Sequence, residues 1–169
     1  MSGETSTSDE DQVREACLRL LATRPRSRHE LVQRLRGRDC SELVLERVLD
    51  RLTAVGLVDD AAFANAWVRS RHAHSGKSRR ALAAELRTKG IGDEQAKAAL
   101  AQVDDDDEHR RATEVIARKL RSTVVPADAA GQAALTRRLV GMLARRGYPA
   151  DVVRSVVEAE LRAGTERLT

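Results

Sequence analysis

The chain has 169 residues, 41% hydrophobic and 33% charged, with a formal net charge of +4 and a pI near 9.6. That balance makes disorder unexpected except at the start, and no apolar run approaches the roughly 18 residues of a membrane span. The start, MSGETSTSDEDQ, has no apolar signal core, so a cytoplasmic protein is expected, and the excess of cations points first to an anionic partner such as nucleic acid.

Residues 1–10 are Ser, Thr, Gly and acid, too poor in apolar groups to offset ordering entropy, and read as a disordered tail. From Asp11, Val13, Cys17, Leu18, Leu20 and Leu21 recur at helical spacing until Pro25 stops the first helix near Thr23. Ser27 and Glu30 form a capping box for a second helix with Leu31 and Leu35 inward. A third runs from about Glu42 to Ala54, with Gly56 as its stop.

The next block opens on Asp59 and Asp60, acids that suit a helix N-terminus, followed by Phe63 and Trp67 on one face. Ser78 caps a helix carrying Leu82 and Leu86 that ends at Gly90, and Asp93 starts another through Val103. The acids Asp104 to Glu108 form a solvated joint at a helix start, before Ala112, Val115, Ile116 and Leu120. A helix with Leu135, Leu139 and Leu143 ends at Gly147. Pro149 opens the last helix, which Gly164 closes.

The blocks repeat. Laying Ser27 on Ser78 places Leu31 on Leu82, Leu35 on Leu86, Cys40 on Ile91 and Leu49 on Leu100, and Leu139, Leu143 and Gly147 enter the same frame. The expected fold is all-α: an elongated, sheet-free tandem array of three three-helix modules, 11–56, 57–103 and 104–164, the last with the acidic joint at its start.

Between Arg69 and Gly90 the cations Arg69, Arg71, Lys77, Arg79, Arg80, Arg87 and Lys89 face the single acid Glu85. Arg80 and Arg87 flank Ala84 on the helix face opposite Leu82 and Leu86, where phosphate or acidic side chains can reach them. A basic residue also precedes each middle-helix stop, at Arg38, Lys89 and Arg146. It either complements the helix dipole or forms a ridge of charge. Phe63 and Trp67 read as a structural anchor rather than a base-stacking platform. Arg71, on their face, reads as its structural companion, with Asp59 and Asp60 the nearest acids in sequence.

Catalysis, metal and cofactor have no support in the sequence. Ser75-Gly76-Lys77-Ser78 ends like a phosphate-binding loop, but Arg71 stands where its first Gly is required and a helix precedes it. His72 and His74 diverge on a helix, and Cys17 and Cys40 lack metal or redox spacing, so they read as free thiols of a reducing compartment.

Gly56-Leu57-Val58-Asp59-Asp60, Phe63-Ala64, Trp67-Val68, Arg71, Gly76, Lys77, Leu82, Leu86 and Lys89-Gly90-Ile91 together resemble the RecX family of recombinase regulators. The tandem helical pattern extends that likeness from about Glu15 to Leu161. The resemblance implies a non-enzymatic bacterial protein that binds the RecA recombinase and its filament on single-stranded DNA. It would inhibit filament growth, ATP hydrolysis, strand exchange and repressor cleavage. The candidate contacts are Arg69, Lys77, Arg79, Arg80, Arg87 and Lys89, in a monomer. The alternative is a helical DNA-binding protein that grips phosphate weakly and without sequence preference, with no recombinase partner.

Overall fold

The computed structural model describes residues 3–36 and 41–166, which form nine α-helices and no strand among the described residues. In chain order they are α1 Gly3–Thr23, α2 Arg28–Leu35, α3 Glu42–Ala54, α4 Asp60–Ser75, α5 Arg79–Thr88, α6 Asp93–Leu100, α7 Asp105–Arg121, α8 Ala129–Ala144 and α9 Ala150–Glu166. The fold is all-α, with the tandem helical order that the repeat predicts. Cys40 and Arg38 lie outside the described residues.

Helix ends follow local chemistry. At α2 the capping box is complete: Ser27 Oγ accepts the Glu30 N–H at 3.2 Å, and the Glu30 carboxylate accepts the Ser27 N–H at 3.4 Å. Asp104 and Asp128 cap α7 and α8 without the reciprocal bond, their carboxylates accepting the Asp107 and Gly131 N–H. Gly56, Gly90 and Gly147, at φ of 75°, 70° and 88°, turn the chain after α3, α5 and α8 through a conformation that other residues resist. Gly164 does not take that conformation, and α9 continues through it to Glu166, so the expected stop is not one.

The start of the chain also departs from expectation. Helix α1 begins at Gly3, so 3–10 are helical rather than a disordered tail. The last of them is joined to α3 by charge: Glu10, with 14% of its side chain exposed, accepts from Arg47 at 3.3 Å and Arg51 at 2.7 Å.

By packing, the chain divides into two units, Met1–Trp67 with Glu85–Ala99, and Val68–Ala84 with Leu100–Thr169. The first centres on α1, α2 and α3, where Cys17, Leu31 and Leu49 are fully buried. The second centres on α7, α8 and α9, where Ile116, Leu139 and Leu143 are fully buried.

Each unit contains the same kind of helix junction. In the first, Ser27 is buried and its hydroxyl donates to Lys89 O at 2.7 Å, while the Arg28 N–H donates to Asp60 Oδ1 at 2.8 Å. In the second, Ser78 is buried and its N–H donates to Arg146 O at 3.0 Å, while the Arg79 N–H donates to Glu108 Oε1 at 2.7 Å. The glycine stop of one middle helix is thus seated on the N-terminus of the preceding one. A Cβ at Gly90 would meet His29, and one at Gly147 would come within 2.6 Å of Ser78 Oγ. In the repeat frame the third block has Leu135 at this serine position, and Leu135 is buried.

Candidate interaction surface

The aromatic anchor is built in the first unit. Phe63 is buried, and its ring stacks on Trp67 with centroids 5.7 Å apart and planes at 20°. Trp67 Nε1 donates to Glu85 at 2.9 Å, and Lys89 Nζ lies 4.6 Å from the Trp67 ring centroid, within cation–π reach. The same ammonium donates to Glu30 at 2.6 Å, and Arg24 reaches Glu30 from the other side at 3.0 Å. Burial opposes ionisation of Glu30, but the hydrogen bonds from Arg24 and Lys89 outweigh it and hold this carboxyl down at about 2.

Lys89 is therefore a component of the anchor, only 24% exposed, and not a cation presented to solvent. Arg146, its counterpart before Gly147, donates to Met142 O at 3.1 Å near the end of α8, the dipole-complementing role that the sequence allows.

Arg79 is likewise engaged inside the second unit. Its guanidinium reaches Asp105 at 2.7 Å and Val103 O at 3.3 Å, and 45% of its side chain remains exposed. Lys77 is half-buried, and its carbonyl accepts from His72 Nδ1 at 2.9 Å, while His74 Nδ1 donates to Ser70 O at 3.0 Å. Gly76 is buried, and a Cβ there would lie 2.6 Å from Val115, so the Gly-Lys loop is a packing feature. Asp59 caps α4 by accepting from the Ala62 N–H at 2.8 Å, and Asp60 serves the α2 junction. Arg71 is half-buried and donates to Ser75 Oγ at 3.0 Å.

Arg69, Arg80 and Arg87 remain. All three are exposed, with no hydrogen bond or ion pair among the described residues. Arg80 and Arg87 stand about two turns, or roughly 10 Å, apart along α5. Ala84 is exposed between them, and Leu82 and Leu86 are fully buried on the opposite side. Two guanidinium groups projecting from a small-residue helix face can meet carboxylates or phosphates without steric hindrance from larger neighbours.

Sequence reasoning missed the roles of three residues in the second unit. Glu108, expected within a solvated run, is 7% exposed because it falls on the buried stripe of α7 with Ala112 and Ile116, a four-residue spacing readable in the sequence. Arg111 donates to His72 O at 3.0 Å and also to Ala73 O, satisfying carbonyls near the end of α4. Arg110 is held by Asp107 one turn before it. No helix among the described residues is long and apolar enough to cross a membrane.

Comparison with known proteins places these features. Residues 14–52 match the model of the first three-helix domain of RecX, and 59–100 that of the second. A regulatory protein RecX from Mycobacterium avium (strain 104) is 52% identical over 160 residues, covering 95% of this chain and 91% of that protein. One from Mycobacterium tuberculosis (strain ATCC 25177 / H37Ra) is 49% identical over 163 residues, covering 96% and 94%. The crystal structure of RecX from Lactobacillus salivarius superposes with a TM-score of 0.75 at 22% identity, covering 91% of this chain and 97% of that one.

Proposed function

The chain belongs to the RecX family of regulatory proteins, and from that premise we propose that it regulates the RecA recombinase. It binds the recombinase filament on single-stranded DNA and inhibits filament growth, ATP hydrolysis, strand exchange and repressor cleavage. It does so by occupying the filament, in the cytoplasm and as a monomer, without catalysing a reaction of its own.

The observation that carries this reading is the pair Arg80 and Arg87, exposed and without partners among the described residues on α5, inside the segment that matches the second family domain. Arg69 supports it from α4. Lys89 and Arg79 support it indirectly, since their internal carboxylates fix the ends of the helix that carries the pair. Guanidinium groups on a helix suit acidic side chains of a filament subunit or the phosphates of its DNA.

The test is recombinase ATP hydrolysis on single-stranded DNA, titrated with this protein. Inhibition below one molecule per recombinase subunit is expected, as for a protein that blocks growth at filament ends. No inhibition at any ratio refutes the reading. DNA binding retained in that case would support the phosphate-gripping alternative.

A further inference from the structure

A polar cleft of about 330 Å³ lies between α4 and α7 within the second unit, lined by Arg69, His72, Gln102, Asp107, Arg110 and Arg111, with Glu114 at its edge. Resting on the reading above, we propose that this cleft binds phosphate oxyanions and that Asp107 occupies the place of the anion until one arrives.

The arginines of the cleft differ in how they are held. Arg111 is 14% exposed and is spent on His72 O, Ala73 O and Glu114. It shapes the wall. Arg69 is exposed and has no partner among the described residues. Arg110 is 62% exposed and held only by the Asp107 carboxylate from the preceding turn. Two guanidinium forks from different helices therefore border one space, one of them open and one closed by a carboxylate, the side-chain group that presents oxygens to arginine much as phosphate does.

The latch is weak by construction. An ion pair three residues apart on one helix, with Arg110 exposed and Asp107 half-buried, is weak, so a phosphate bearing equal or greater charge can displace it. The acidic first turn of α7 then has two uses: Asp104 and Glu108 fix helix ends, and Asp107 sets how readily the cleft accepts an anion. Phosphodiesters of single-stranded DNA and free nucleoside triphosphates share this chemistry.

The test measures anisotropy of a labelled oligo-dT strand and equilibrium dialysis of ATP against the full chain and the variants Asp107→Asn, Asp106→Asn and Arg69→Gln/Arg110→Gln. Asp106 is exposed and holds no arginine, so its neutralisation changes net charge alone. Asp107→Asn should bind about two- to three-fold tighter than Asp106→Asn. The double arginine variant should bind more weakly than the unmodified chain, any remainder being the phosphate contacts open to Arg80 and Arg87. Retention of the oligonucleotide alone identifies the DNA backbone as the source, and retention of ATP as well identifies free nucleotide. Equal affinity of the two Asp→Asn variants, or no binding of either probe by Asp107→Asn at low salt, overturns the cleft. Recombinase inhibition is measured in parallel. Its persistence without phosphate binding refutes only the cleft, and its absence with phosphate binding intact refutes only the recombinase reading.

Discussion

Replacing Gly90 by Ala isolates the energy of the helix junction in the first unit. Two costs add. At φ 70° an alanine pays about 1 kcal/mol for the left-handed conformation. Its methyl group would also fall on His29 Cβ and within 2.5 Å of Cγ, and overpacking of that kind costs about 1–3 kcal/mol. A total loss of roughly 2–4 kcal/mol is expected. Gly56→Ala supplies the control, since Gly56 has φ 75° but nothing within 4 Å of an added Cβ, so it should lose only about 1 kcal/mol. Urea unfolding followed by the fluorescence of Trp67, the single tryptophan and a member of the same unit, reads both variants. Equal losses in the two would refute the seating of Gly90 on α2.

Glu30 makes stability depend on acid. Its drop from an ordinary 4.5 to about 2 corresponds to at most roughly 3 kcal/mol, reduced by solvent screening because its Arg24 partner is 45% exposed. A depressed folded value means that this stability is fully present above about pH 5 and is lost as pH falls from about 4.5 towards 2. Glu30→Gln should flatten that part of the profile, measured by Trp67 fluorescence in urea, and an unchanged slope would contradict the assignment. Tyr148 gives the opposite expectation. Its hydroxyl is buried with no hydrogen-bond partner among the described residues, and burial first, then the charge of Glu108, pushes its pKa up to about 12. Tyr148→Phe should be neutral or stabilise by up to about 1 kcal/mol in thermal unfolding monitored by circular dichroism, and a loss above about 1 kcal/mol would show that the hydroxyl is satisfied.

The helices were legible because their signals are local. The Ser27–Glu30 box, the span of α3 and the glycines at 56, 90 and 147 each act within a few residues, and α3 runs over the residues that its spacing predicts. The cations were legible only as a sign of charge. Whether a lysine faces solvent depends on carboxylates far away in sequence: Glu30 holds Lys89, and Asp105 holds Arg79. Neither pairing leaves a trace in spacing. Arg80 and Arg87 fared differently because their exposure follows from helix periodicity against Leu82 and Leu86, which the sequence carries in full. The burial of Glu108 was readable from the spacing of 108, 112 and 116. The acidic run concealed it, since five adjacent acids read first as a solvated segment.

The central claim is that the exposed cations of α5 grip the recombinase filament. Its most direct measurement is co-sedimentation of the Arg80→Glu/Arg87→Glu variant with recombinase filaments on single-stranded DNA, beside the unmodified protein. Trp67-monitored unfolding confirms that both are equally folded. Retention of the unmodified protein and loss of at least ten-fold in apparent affinity for the variant, about 1.4 kcal/mol or more, is the predicted result. Equal co-sedimentation of the two would contradict it.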